Sequence, residues 1–122
     1  NWATSFSASR YLSLQLPPYS PASVISLTGA SFRHSYRPVI AGVSACWYFE
    51  VYAGATLIGT HGSAASPISC NSSTTYLTEN IPLPEINRPA RANSAVVRIY
   101  VRTSIAAQTD HDQVSLGFDY AR

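Results

Sequence analysis

The residue types that could do chemistry are concentrated at one place in the sequence, Asp110-His111-Asp112. Two carboxylates beside an imidazole can ligate a metal ion or exchange protons with a substrate. The other two histidines, His34 and His61, have no such neighbours in the sequence. The triplet lies between two predicted strands, where a solvated turn held by Asx-type hydrogen bonds is the simpler interpretation, and we favour it.

No catalytic motif accompanies these residues. The sequence contains no H-E-x-x-H, G-x-S-x-G, G-x-G-x-x-G or EF-hand pattern. All eight basic residues are arginine, so no lysine amine can form a Schiff base, serve a phosphate-binding loop or join an isopeptide cross-link. We therefore expect a protein that is not an enzyme, with no catalytic residue, no cofactor and no metal site.

Composition narrows the classes of partner. Only 11% of the residues are charged, while 46% are hydrophobic, which indicates a folded chain with a polar but largely uncharged surface. A net charge of +2 gives little repulsion between copies, so self-association is favoured. There is no basic run and no nucleic-acid-binding motif, and no apolar run is long enough to span a bilayer. We expect neither a nucleic-acid partner nor a membrane span in the mature chain.

Cysteine usage and the abundance of serine and threonine indicate an oxidising compartment. We expect Cys46 and Cys70 to form a disulfide, and two free thiols in a cytosolic protein are the alternative. Asn71 begins an N-x-S sequon and is a candidate glycan acceptor. No signal peptide precedes Asn1, so we interpret the chain as a mature form, secreted to the extracellular space or cell surface through a removed signal peptide.

Alternation of apolar and polar residues predicts strands along most of the chain. The clearest strand covers residues 44–53, where Trp47, Phe49 and Val51 share one face, and a short turn at Gly54 leads into 56–60 as a hairpin. Further strands are predicted at 22–33, 74–78, 94–102 and 114–120. Prolines make residues 81–90 an extended connection, and no stretch has the spacing of an amphipathic helix. These patterns predict one all-β sandwich of seven to eight strands, with a jelly roll as the expected arrangement.

The first residues are separated from the rest by a proline-rich joint at 17–21. Within 1–16, Leu12, Leu14 and Leu16 alternate with polar residues or tyrosine, as in a strand with one buried face. Because proline stiffens a connection, this strand could leave its own domain and pair with a neighbour. The alternative is the first strand of an ordinary sandwich. The division is therefore 1–16 as a candidate donor strand, 17–21 as the joint and 22–122 as the sandwich domain.

Two pairs of segments resemble bacterial extracellular β-sandwich surface modules. They are S-A-C-W-Y-F-E-V-Y at 44–52 with T-L-I-G-T at 56–60, and V-V-R-I-Y-V-R at 96–102 with D-Q-V-S-L at 112–116. Such modules are immunoglobulin-like, jelly-roll or galactose-binding-like, and they serve as adhesive, carbohydrate-binding or structural parts of surface proteins. The resemblance covers about half of the chain and implies these roles without choosing among them.

Aromatic residues in two strands are candidates for binding sugar faces. Tyr48 and Tyr52 share a face with Glu50, and Tyr100 lies between Arg98 and Arg102. In each group, a flat ring with polar neighbours could hold and orient a glycan. The alternative is that these residues pack against neighbouring strands or form a subunit interface, because interface cores also prefer aromatic residues and arginine.

We therefore expect a secreted subunit that assembles with copies of itself into a head-to-tail extracellular filament or pilus-like structure by β-strand addition. The residues expected to fill pockets of the next subunit are Trp2, Phe6, Tyr11, Leu12, Leu14 and Leu16. The alternative is a monomeric carbohydrate-binding or adhesive module that binds surface glycans.

Overall fold

The computed structural model describes residues 1–15 and 26–121. Leu16, the joint at 17–21 and the beginning of the predicted strand 22–33 lie outside the described residues. The described part contains eight strands and one short helix. In chain order they are β1 (Tyr11–Gln15), β2 (Ser26–Pro38), β3 (Ala45–Ala53), β4 (Thr56–His61), β5 (Ser69–Asn71), β6 (Leu77–Pro82), α1 (Pro89–Asn93), β7 (Ala95–Thr103) and β8 (Thr109–Ala121).

The strands form two antiparallel sheets. The larger sheet has the order β1-β7-β3-β4, with β5 paired to β3 beside β4. The smaller sheet has the order β6-β2-β8. The prediction of an all-β sandwich is confirmed.

The core lies between the two sheets. Trp47, Phe49 and Val51 of β3 are wholly buried, as their period-2 spacing predicts. On β2, Phe32 faces Phe49 with ring centroids 4.9 Å apart, which joins the sheets at their centre. Valine and isoleucine of β7 complete the same layer. Burial of each such side chain stabilises the fold by about 1.5–3 kcal/mol. Because the inward-facing residues of β3 and β7 are in register, the residues between them lie side by side on the outer face.

The predicted hairpin between β3 and β4 is present. Ala53 pairs with Thr56, which leaves Gly54 and Ala55 as a two-residue turn. Gly54 has φ +62°, while the backbone of Ala55 has no positive φ. A glycine at the first central position is what a type II′ turn requires, since other residues rarely adopt that conformation.

The region around the prolines differs from the prediction. Residues 81–90 were expected to be an extended connection, whereas Pro89 begins the short helix α1. Proline is well suited to the first turn of a helix because its missing N–H would have no partner there. Pro82 ends β6, an edge strand, where it disrupts no interior ladder. No helix within the described ranges is both long and apolar enough to cross a bilayer.

Strand β8 is longer than predicted, and the expectation that Asp110-His111-Asp112 forms a turn was wrong. These residues lie in β8, where His111 is paired with Tyr36 and Asp110 with Arg37 of β2. A nitrogen of the Arg37 guanidinium lies 3.1 Å from a carboxylate oxygen of Asp110. Cross-strand partners satisfy Asp110 and His111, and the sequence does not show those partners.

The predicted disulfide is confirmed. Cys46 of β3 and Cys70 of β5 are register partners and their sulfurs are bonded. Because β5 has only three residues, its few main-chain bonds hold it weakly. The disulfide therefore fixes β5 to β3.

Removing this bond tests its contribution. The double variant Cys46→Ala/Cys70→Ala should lose about 3 to 4 kcal/mol of unfolding free energy, because the cross-link lowers the conformational entropy of the unfolded chain. Denaturant unfolding of oxidised wild type, reduced wild type and the variant gives the three values. Reduction leaves the side chains in place, so it separates the bond from packing. Equal midpoints for the oxidised and reduced forms would show that the disulfide does not stabilise the fold.

Candidate functional site

Residues 1–15, called here the N-terminal segment, run along the edge of the larger sheet. Their strand β1 pairs antiparallel with β7, from Tyr11 opposite Tyr100 to Gln15 opposite Val96. Leu12 and Leu14 are half-buried and pack against the core. The segment therefore supplies both the outer strand of the sheet and part of its apolar face.

The beginning of the segment is anchored at the other end of the sandwich. The Trp2 amide donates to the Ala107 carbonyl at 2.7 Å, and the Thr103 amide donates to the Ala3 carbonyl at 3.2 Å. The indole Nε1 of Trp2 donates to Thr109 Oγ1 at 2.8 Å. The segment is thus attached at both of its ends, by main-chain bonds and by one tryptophan.

The outer side of the larger sheet carries a group that we call the aromatic face, made of Tyr11, Tyr48, Glu50, Tyr52, Arg98 and Tyr100. Tyr100 lies in register between Tyr48 on β3 and Tyr11 on β1. Its ring is stacked on Tyr48 with centroids 4.8 Å apart, and the centroid of Tyr11 is 5.5 Å away. Rings from three strands therefore form one continuous row.

Glu50 organises the polar part of the aromatic face. Its Oε1 accepts hydrogen bonds from Tyr100 at 2.6 Å and from Tyr52 at 3.0 Å. Burial raises the pKa of Tyr100, and the carboxylate of Glu50 raises it further because a phenolate would be repelled. The Arg98 guanidinium lies 4.7 Å from the ring centroid of Tyr11 and 4.5 Å from that of Tyr52. The face is thus held together by internal contacts.

The N-terminal segment covers one end of this row. The ring of Phe6 meets that of Tyr48 edge to face, with centroids 4.9 Å apart, and Arg102 lies 5.4 Å from the centroid of Phe6. Two separate patches were predicted from the sequence. One consists of Tyr48, Glu50 and Tyr52, and the other of Arg98, Tyr100 and Arg102. The structure brings them together because β3 and β7 are neighbours in register.

The predicted assembly residues have defined positions in their own chain. Trp2 is bonded to Thr109, Phe6 contacts Tyr48, and Tyr11 contacts Tyr100. Leu12 and Leu14 face the core, as the alternation predicts. Leu16 lies outside the described residues.

A histidine pair was missed by sequence reasoning. His34 on β2 is wholly buried, and its Nε2 lies 2.7 Å from Nδ1 of His111 on β8. Burial lowers the pKa of His34 to about 3, with a further contribution from His111. Burial also lowers the pKa of His111, partly offset by Asp110. No sequence signal pointed to this pair, because the predicted strands 22–33 and 114–120 stop short of both histidines.

The third histidine has a different environment. His61 Nε2 lies 2.5 Å from a carboxylate oxygen of Glu85, and its ring is stacked on Phe49 with centroids 4.7 Å apart. Within the described ranges, no group of three or more His, Cys, Asp and Glu residues is placed to hold a metal ion. His61 and Glu85 form a partly buried polar contact between β4 and the connection before α1.

Asn71 is buried and has a structural role. Its Nδ2 donates to the carbonyl of Tyr36 at 3.0 Å and to that of Thr75 at 2.9 Å. Its Oδ1 accepts from the amide of Ser73 at 3.0 Å. A glycan attached to Nδ2 would displace at least one of these bonds, because a glycosylated amide keeps a single N–H.

Comparison with known proteins adds no relative. No protein-family model matches the chain, and no curated protein and no solved structure matches it.

The role of Glu50 is tested by Glu50→Gln. The pKa of Tyr100 should fall towards its ordinary value of about 10, because an amide oxygen still accepts its hydrogen bond but no longer repels the phenolate. Since the folded chain holds this proton more tightly than the unfolded one, stability falls as pH rises above about 10, and the loss should be smaller in the variant. Phenolate absorbance during alkaline titration measures the pKa, with Tyr100→Phe to identify the Tyr100 step. Denaturant unfolding at pH values around 10 measures the loss of stability. An unchanged Tyr100 step in Glu50→Gln would show that the negative charge of Glu50 does not raise the pKa.

The role of Asn71 is tested by Asn71→Ala. The variant should lose about 1–3 kcal/mol of unfolding free energy, because two main-chain carbonyls lose their donor. Ser73→Ala removes the same sequon at an exposed position and should cost less than Asn71→Ala, at most about 1 kcal/mol, because it loses only the hydrogen bond that Ser73 Oγ accepts from the Thr75 amide at 3.1 Å. Denaturant unfolding compares the two. Similar losses in both variants would contradict the structural role of the Asn71 amide.

Proposed function

We propose that this chain is a non-enzymatic structural subunit that assembles into an extracellular filament by exchanging its N-terminal segment between copies. One observation carries the proposal: the segment supplies β1, the edge strand of the larger sheet, which pairs with β7 along one side. It continues into the ten residues 16–25, which include Pro17, Pro18 and Pro21. An edge strand on such a connection can be replaced by the same strand of a neighbour.

The segment would make the same contacts whether it docks on its own chain or on a neighbouring copy. Main-chain pairing with β7 supplies affinity that does not depend on side chains, and Leu12 and Leu14 supply apolar burial. Phe6 and Tyr11 would provide specificity, since each meets a ring of the aromatic face. A neighbour that contributes these four side chains would complete the sheet without any new kind of contact.

Strand directions limit how copies could meet. Gln15 pairs with Val96 near the start of β7, and Ser26 pairs with Ala121 at the end of β8. Because a short connection joins the end of β7 to the start of β8, Gln15 and Ser26 lie at the same end of the sandwich. Ten residues reach at most about 33–36 Å. Exchange therefore favours neighbours whose Gln15 and Ser26 ends are close, and a fibre requires that each copy receives from one neighbour and donates to another.

The disulfide and the weakly charged composition support an extracellular setting. A structural disulfide persists in oxidising compartments, and Cys46–Cys70 joins two strands of the larger sheet. Low net charge permits close packing of copies. Both features suit a durable surface structure.

The aromatic face favours a second candidate, a monomeric module that binds glycans. Tyr11 is 37% exposed at one end of the row of rings, with the guanidinium of Arg98 beside it. Exposed rings with adjacent polar groups can hold the apolar faces of sugars. This candidate requires the segment to stay on its own chain.

The test is negative-stain electron microscopy and sedimentation of the full chain and of a variant lacking residues 1–15, at neutral pH. We expect regular fibres that pellet for the full chain. The truncated variant should remain folded but not polymerise, and a synthetic peptide of residues 1–15 should bind it. A monodisperse particle near 13.2 kDa for the full chain would contradict the proposal.

Matched variants check that the segment acts through its buried face. Leu12→Ser/Leu14→Ser should abolish fibres, because it removes the apolar contacts of β1. Ser13→Ala/Gln15→Ala alters the exposed face of the same strand and should leave fibres intact. Truncation that simply unfolds the chain, together with glycan binding by the full-length monomer, would favour the second candidate.

A further inference from the structure

A chain of hydrogen bonds links the buried core to the N-terminal segment. His34 Nε2 and His111 Nδ1 are 2.7 Å apart, and His111 Nε2 lies 2.8 Å from Thr109 Oγ1. Thr109 Oγ1 in turn accepts the indole N–H of Trp2. Each member therefore touches the next, from a wholly buried ring to the first anchored side chain of the segment.

The unpartnered Nδ1 of His34 limits how many protons these hydrogen-bonded groups can hold. His34 Nδ1 is buried without a hydrogen-bond partner. An orphaned N–H costs more than an orphaned lone pair, so we assign the proton of neutral His34 to Nε2, from which it is donated to His111. His111 then donates from Nε2 to Thr109. One further proton on the pair must leave an N–H on His34 Nδ1, because only one proton fits between the two rings.

The surroundings compensate a positive charge on the pair only in part, through Asp110. The carboxylate of Asp110 is paired with Arg37, and that of Glu79, the register partner of His34 on β6, accepts from Trp47 at 3.0 Å. Arg33 and Asp112, the remaining charged residues near the pair on β2 and β8, are exposed, and the faces of Trp47 and Tyr36 surround the His34 ring without supplying a carboxylate. No hydrogen bond of the described residues joins either histidine to a carboxylate.

His111 also faces the segment across an open cavity of about 320 Å³ between β8 and the N-terminal segment. The segment contributes Trp2, Arg10 and Leu12 to its lining, and β8 contributes Thr109 and His111. A charged His111 would therefore share this cavity with the guanidinium of Arg10. Like charges on the two sides disfavour docking.

We propose that the His34–His111 pair is a proton-sensitive latch for the N-terminal segment, which holds the segment when both rings are neutral and releases it when the pair takes up a proton. Release would move His111 towards solvent and break the contact through Thr109 to Trp2. The inference rests on the proposed function, since it concerns the regulation of the same segment.

The direction of the pH effect follows from linkage. Docking keeps the pKa of His111 below its ordinary value, and release lets it return towards about 6.5. Below about pH 6.5 the released state therefore binds more protons than the docked state. Docking is complete above about pH 6.5 and weakens as pH falls below it. Each pH unit in this window changes the ratio of docked to released segment by up to about tenfold per proton.

Hydrogen–deuterium exchange of the full chain at pH 7 and pH 5 tests the latch. Protection of the amides of residues 2–15, corrected for the pH dependence of intrinsic exchange, should be lower at pH 5, by up to about tenfold for each pH unit below about 6.5. Protection of β3 should not change. His111→Gln removes the titrating group and should abolish the pH effect, and Thr109→Val keeps both histidines but should uncouple the Trp2 amide from them. His61→Gln, at the histidine outside the pair, should leave the effect intact.

Equal protection of residues 2–15 at both pH values, or the wild-type pH effect in His111→Gln, would overturn the latch. Microscopy of the same samples separates it from the proposed function. Fibres that form with segment protection independent of pH would contradict the latch and leave the proposed function standing. A chain that never forms fibres but shows the pH effect in wild type alone would support the latch and contradict assembly.

Discussion

Strand β7 lies between β3 and β1, and its pairing with β1 is the interaction on which the rest of the structure depends. The pairing with β3 is built into the body of the sandwich and carries the buried face of Phe49 and Val51. On its other side, β7 presents main-chain groups that need a partner, and the N-terminal segment provides it. Without that strand, Leu12 and Leu14 would also leave an apolar gap over the core. The sheet is therefore complete only when a segment of this sequence is docked.

The contacts that the two other features of interest make with the segment depend on that docking. The aromatic face forms one row only because Tyr11 and Phe6 arrive from the segment beside Tyr48 and Tyr100. The histidine pair is linked to the segment by hydrogen bonds through Thr109, and His111 faces it across the cavity. If the segment always stayed on its own chain, none of these contacts would need to be reversible. In the proposed exchange between copies each of them would have a role: the rings would provide recognition, and the histidines would provide control.

Much of the fold was predictable from residue periodicity, because a strand with one buried face repeats every two residues. This period identified β3, β7 and the hairpin at Gly54, and composition identified the disulfide. Register was not predictable, so the two tyrosine patches were not recognised as one face. The contact between His34 and His111 spans 77 positions and depends on the pairing of β2 with β8. Local sequence contains no record of such a pairing, and for the same reason the length of β8 was underestimated.

The most direct test of segment exchange is an engineered disulfide at the β1–β7 pair. Gln15 and Val96 are register partners on the outer side of the sheet, so Gln15→Cys/Val96→Cys should form a bond when β1 docks. A non-reducing denaturing gel after oxidation then shows whether β1 and β7 belong to the same chain. Exchange predicts a ladder of covalent multimers that collapses to monomer on reduction. Complete oxidation that yields only monomer at every protein concentration would contradict it.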